Sequence, residues 1–305
     1  MPNQLEDEVV QNNQNLGREA ARNRIPTPNA QSTIATTATV SVDATITIYT
    51  RPLNDSLVLG NPDEATHGLG RGKLGDQRGS WTQQDQVSTT LDRDGQRAIA
   101  EALSGSDTTI AEATVGDELV NAWQIDDSDT ETRARSSFRF SESPDSVTSP
   151  ELRDNQGRTV ASASLSGVSA DENTEVRCDV SLAFSDNSGT NAAVTDLATV
   201  TDALDDAGDT RIGGIALGTD DTTPSQSDSS LGTEVLRKPG DRSAVGSSAV
   251  VEIVAIREEP TSQPHDIVEL GILNQSQNLV SRLTFSAETK DDRIRLRARG
   301  AIDIE

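Results

Sequence analysis

Three carboxylates, Asp220, Asp221 and Asp228, crowd the stretch IALGTDDTTPSQSDSSLGTEVLR at residues 215–237, where Gly, Ser, Thr and Pro would let a loop fold around a hard cation. A calcium loop alternates Asp or Asn and needs glycine at its sixth position. Neither TDDTTPSQSD nor DDSDTE at 126–131 has that spacing, so the acids read as surface carboxylates around a turn, and no metal site is expected. HGLGRGKLGDQRG at 67–79 invites a phosphate-loop reading, but G-x-x-x-x-G-K-[ST] fails at His67 and again at Leu74. What remains is a basic loop whose Arg71, Lys73 and Arg78 form a candidate interface for an acidic neighbour. Nucleophilic catalysis has no constellation to rest on. There is no G-x-S-x-G elbow, His67 and His265 lie in loop-like sequence, and Cys178 alternates with Val176 and Val180 as a buried strand position does. Carboxylate pairs suited to glycoside cleavage can be drawn from any chain with 50 acids, yet two Trp and one Tyr make a thin sugar-stacking platform. We expect no enzyme and no cofactor.

The charge balance sets the partners. Asp+Glu number 50 against 26 Lys+Arg, a net charge of −24, and only Lys73, Lys238 and Lys290 are lysine. Acid excess, scarce lysine, abundant Thr, Ser and Ala, and few aromatics resemble proteins of extreme halophiles. Dense carboxylates hold water and cations at the surface, while molar salt shortens the screening length to roughly 3 Å. A nucleic-acid groove or an anionic membrane needs clustered positive charge, so neither partner is expected. One cysteine excludes an intrachain disulfide, and no Cys/His grouping has zinc spacing. The first residues, MPNQLEDEVVQNNQNLG, have no basic and apolar regions of a secretory signal, and no run of 18 apolar residues predicts a membrane helix.

Positioning elements follow from periodicity. Residues 1–30 are rich in Asn and Gln and cannot build a core, but Leu5, Val9, Val10 and Leu16 would let them dock as an N-terminal assembly arm. From Ala38 to Tyr49, Ala38, Val40, Val42, Ala44, Ile46 and Ile48 alternate with polar residues, the period of a half-buried strand. LDRDGQRAIAEALSG at 91–105 predicts a helix capped by Asp94, with Ile99, Ala102 and Leu103 facing inward and Ser104-Gly105 ending it. Strand-like TIAEATVG, RARSSFRFS, GRTVASASLS and EVRCDVSLAF follow.

The order then repeats. TDLATVTDALDDAG at 195–208 predicts a second helix with Leu197, Val200 and Leu204 on one face, followed by RIGGIALG, SSAVVEIVAI, HDIVELGIL, NLVSRLTFS and DRIRLRARGAIDI. An offset of 120 residues aligns Val160 with Val280, Leu165 with Phe285, Asp171 with Asp291, Val176 with Leu296, Leu182 with Ile302 and Phe184 with Ile304. This reads as a tandem duplication. The expected fold is mainly β: tandem antiparallel β-sandwich-like modules at 90–185 and 195–305, each preceded by a short helix. They follow the arm at 1–30 and a β segment with its Gly-rich loop at 31–89.

The second copy resembles the tail-collar fibre modules of tailed bacteriophages, whose pattern runs as a helix, "IAVGDG", a proline-bearing loop, "TAL-x-x-E-x-x-R" and "EVGLFD". The matching positions are Ile215, Ala216, Leu217 and Gly218, then Ser230, Leu231, Glu234 and Arg237, then Glu269, Leu270, Gly271 and Ile272. The first copy lacks the E-x-G signature, having Glu151-Leu152-Arg153 there. The resemblance implies a non-enzymatic virion protein of a haloarchaeal tailed virus, a tail, baseplate or fibre-attachment component assembled in the host cytoplasm. Its partners would be other virion proteins, further copies of itself in a homo-oligomer, and a host-surface receptor. A head decoration or turret protein is the alternative within that class. A glycan-binding adhesin is the alternative outside it.

Overall fold

Alternation between 38 and 48 becomes a strand longer than expected, β1 (Gln31–Pro52), with Ile34, Ala38, Val40, Val42, Ala44, Ile46 and Ile48 all buried on one face. The computed structural model describes residues 31–52, 80–106, 108, 110–115, 118–121, 123–139, 145–170, 174–204 and 211–305. The arm at 1–30 with Leu5, Val9 and Val10, and the loop carrying His67, Arg71, Lys73 and Arg78, lie outside these residues. The chain is mainly β, as its composition and periodicity require.

After β1 comes β2 (Thr82–Thr90), a polar strand that follows the Gly-rich loop and that the sequence does not announce. Its bonds to β1, from Asp43↔Thr90 to Thr50↔Thr82, hold it there although TQQDQVSTT has little to bury. Helix α1 (Arg93–Ser104) follows. Its cap is Asp92, not Asp94: Asp92 is extended, and its Oδ1 accepts the Gly95 amide at 2.8 Å. Asp94 falls in the first turn, where a negative charge complements the helix dipole. Gly105 closes the helix at φ 97°, and Ile99, Ala102 and Leu103 are buried as expected.

Nine strands follow α1 among the described residues up to residue 186: β3 (Ile110–Val115), β4 (Glu118–Asn121), β5 (Trp123–Ser128), β6 (Glu131–Arg139), β7 (Asp145–Val147), β8 (Glu151–Asp154), β9 (Thr159–Ser162), β10 (Val168–Ala170) and β11 (Thr174–Asp186). Then come β12 (Ala192–Val194) and α2 (Ala198–Asp202). The second helix is shorter than 195–208. Its Thr- and Val-rich core ATVTD is a weak helix former, and Asp196 ties its start by accepting from the Thr199 amide and hydroxyl. The second half holds β13 (Ile212–Gly218), β14 (Glu234–Pro239), β15 (Asp241–Val245), β16 (Ser248–Ala255), β17 (His265–Asn274), β18 (Leu279–Lys290) and β19 (Arg295–Ile304).

One large sheet runs β15-β16-β19-β1-β11-β6-β5, with β2 also on β1. Strands from 31–89, 90–185 and 195–305 therefore share it. A five-stranded sheet runs β12-β18-β17-β13-β14, a four-stranded one β4-β3-β8-β9, and β10 pairs with β7. Among the described residues pairing is antiparallel except between β1 and β19, which run parallel from Gln31↔Arg295 to Val40↔Ile304. β11 and β19 thus flank β1 running in opposite directions, β11 antiparallel and β19 parallel to it. Val176, Cys178, Val180 and Leu182 on β11, and Leu296, Ala298 and Ile302 on β19, point into a core cluster that spans both halves.

Candidate functional site

The acidic stretch at 219–233 folds back over the five-stranded sheet. Ala216, Leu231, Leu273 and Leu279 form a small second cluster there, and Leu231 is 5% exposed. Two glycines make room for the lid. A Cβ on Gly271 would meet Leu279 at 2.7 Å and Leu231 at 3.1 Å, and one on Gly218 would meet the Glu269 carboxylate at 2.2 Å.

The charges are arranged around one guanidinium. Arg282, on β18 opposite Gly271, donates from Nε to Glu269 Oε2 at 2.9 Å and from Nη1 to Asp228 Oδ2 at 3.0 Å. Its Nη2 donates to Thr222 Oγ1 at 3.0 Å and lies 3.8 Å from Asp220 Oδ2. Burial acts to lower the Arg282 pKa, but its bonds to Asp228 and Glu269 leave it raised, so the cation is secure. Glu269 also accepts three backbone amides of the lid: Asp220 at 3.2 Å, Gly232 at 3.2 Å and Thr233 at 3.0 Å.

Of the three acids that suggested a metal loop, Asp220 and Asp228 thus converge with Glu269 on an arginine that supplies the positive charge a cation would bring, while Asp221 stays exposed. Among the described residues no group of three or more His, Cys, Asp or Glu is arranged to hold a metal ion. Asp228 accepts the Ser225 amide at 3.0 Å, and Asp220 accepts that of Thr222 at 2.9 Å, which holds the Asp220 carboxyl below its usual range. The stretch is a pinned turn. Sequence reasoning placed the turn and missed Arg282, whose only signal was a basic residue interrupting the apolar run NLVSRLTFS.

A polar groove of about 460 Å³ opens on the outer face of the large sheet, lined in part by Thr45, Thr47, Tyr49, Glu131, Arg135 and Asp179. Its charges are paired two by two. Arg135 grips Asp179 at 2.8 and 2.9 Å, Arg133 donates to Glu131 from Nε and Nη2 at 2.9 Å each, and Ser181 also donates to Glu131. The Arg133 bonds hold Glu131 below the usual carboxylate range. Glu101 beside Arg158 and Glu259 beside Lys238 shift the same way, opposite to what a general acid needs.

The aromatic faces nearby are covered as well. Arg177 lies over Tyr49 at 4.1 Å and over Trp81 at 4.8 Å, and Arg51 over Trp81 at 4.3 Å. Cys178 is 1% exposed between Val176 and Val180, and burial pushes its thiol up to about 12. His265 opens β17, with Nε2 3.3 Å from Ser262 Oγ. No described helix is long and apolar enough to cross a membrane. Compared with known proteins, the chain matches no family model, no curated protein and no solved structure.

Proposed function

We propose that this chain is a non-enzymatic structural protein of a halophilic tailed virus, working in the tail, baseplate or fibre-attachment region. It would consist of one β-module in two copies, with residues 1–30 as an arm that docks on a neighbouring virion protein. The observation that carries the reading is the convergence around Glu269. Gly218, Leu231, Glu269 and Gly271, all positions quoted for the collar-fibre resemblance, pack in one place and close one lid. Glu234 and Arg237, quoted with them, pair on β14 at 2.6 Å. Residues of that kind specify a fold unit and leave no polar group poised for turnover.

The duplication has its own support in strand order. The run β4-β3-β8-β9 in the first half is matched by β14-β13-β17-β18 in the second, and β5-β6-β11 by β15-β16-β19. Each set follows a helix, α1 or α2. The offset of 120 carries Val160 on β9 to Val280 on β18 and Val176 on β11 to Leu296 on β19, so the sequence repeat and the order of strands agree. The arginines stacked on Tyr49 and Trp81 count against an adhesin that grips sugars on those rings.

Immunogold labelling of particles released by cells carrying the gene tests the proposal. Label at the tail or its tip supports it, label over the head moves the protein to a decoration or turret, and label on the cell envelope alone overturns it.

A further inference from the structure

The outer face of the large sheet carries a second feature, away from the groove, on β19, β16 and β15. On β19 the outward residues are Arg295, Arg297 and Arg299, all exposed. On β16 they are Glu252 and Val254, with Ile256 next in phase, and on β15 they are Asp241, Ser243 and Val245. The three large apolar side chains that stand most exposed among the described residues are all here: Val245 at 55%, Val254 at 38% and Ile256 at 42%. Registers place Arg297 beside Val254, and Arg299 beside Glu252, which in turn lies beside Asp241. Basic residues thus form one column, apolar residues with Glu252 the next, and Asp241 marks the third.

We infer that this face is a self-complementary interface that binds a second copy of the chain across a two-fold axis running along β16. A two-fold contact must present the same patch from both sides, so a column of one charge has to meet a column of the other. Rotation about an axis along β16 exchanges the β19 and β15 sides while keeping each row level. Val254 and Ile256 then stack on the partner's Val254 and the partner's Ile256, Arg299 meets the partner's Asp241, and Glu252, which comes opposite the partner's Glu252 on the axis, has its charge offset by Arg297. Neither Arg299 nor Asp241 has a hydrogen bond or ion pair to another described residue through its side chain, whereas Arg297 is held by Glu252 at 2.7 Å. Two sheets packed face to face lie about 10 Å apart, a gap that an arginine and an aspartate can span between them. The surface is suited to molar salt, because contact ion pairs shorter than the screening length persist and apolar burial does not weaken. It gives the expected homo-oligomer a specific surface, and it does not depend on where in a virion the protein works.

Sedimentation velocity of the full chain in molar potassium chloride tests the inference, with circular dichroism to verify folding. The unaltered chain should sediment as a dimer. Arg299→Asp alone and Asp241→Arg alone should each weaken the dimer at least about tenfold, and combining them should restore it, because the reversed pair reforms the same contact. Val254→Asp should give a monomer, while Arg97→Gln, on the exposed side of α1, should change nothing. A monomeric unaltered chain overturns the inference, as do single reversals that leave the dimer intact or a folded double variant that fails to recover it.

Discussion

Glu269 and Arg282 meet at 2.9 Å inside the molecule, with side chains 0% and 4% exposed. Taking two charges out of water is costly, and attraction offsets that cost only where every other valence is satisfied. Here Glu269 takes three lid amides as well, and Arg282 reaches Asp228 and Thr222. The pair therefore anchors a loop that has one apolar plug, Leu231.

Breaking it should be expensive. Arg282→Ala or Glu269→Ala leaves one buried charge unpaired, and each should destabilise the fold by about 3–5 kcal/mol. Urea unfolding in molar salt measures this. Replacing the pair by Glu269→Leu with Arg282→Met should not recover stability, because the amides of Asp220, Gly232 and Thr233 would lose their acceptor. Full recovery in the double variant would mean that the lid amides find other partners at no cost.

Gly95 inverts a common rule. In an open helix, alanine for glycine stabilises by about 1 kcal/mol. At this position the new Cβ would lie 2.1 Å from the Val160 carbonyl oxygen on β9, a backbone atom with no freedom to swing away. Gly95→Ala should therefore lower stability by about 1–3 kcal/mol, the usual cost of overpacking, and thermal melting reads it directly. A raised melting temperature would show that α1 and β9 are not in this contact.

Cys178 makes stability depend on alkaline pH. Burial raises its thiol from 9.0 to about 12, so the unfolded chain gives up that proton first as pH rises. Its contribution is intact below the unfolded value and is lost progressively as pH climbs toward the folded one. Melting temperatures of the parent and of Cys178→Ala, taken across that window, should converge as pH rises. The native thiol should also resist alkylation near pH 8 and react once the chain is unfolded.

Salt should decide whether the chain folds at all. At a net charge of −24 with lean cores, dialysis from molar salt to about 0.05 M lengthens the screening distance and restores self-repulsion. Far-UV circular dichroism should lose its β signal, or the melting temperature should fall sharply. An unchanged spectrum and melting temperature would remove the halophilic reading.

Period-two alternation suffices by itself to identify β1, β11 and β19 and the face each one buries, because in a strand a side chain's face depends only on its parity. The helix at 93–104, the glycine that stops it, buried Cys178 and the turn after Gly218 are equally local, and all are legible in the residues alone. What the sequence cannot display is partnership between distant residues. Polar β2 has no apolar stripe to announce it and exists by bonding to β1. Buried Lys290, donating to the carbonyls of Asp291 at 2.8 Å and Arg257 at 3.2 Å, ends a strand whose last three residues, Glu288, Thr289 and Lys290, are all polar. Asp220, Asp228 and Glu269 look like free acids until β17 and β18 bring Arg282 among them. Parity and caps act over a few bonds, whereas the role of a charge depends on what lies within about 4 Å of it, and only tertiary packing decides that.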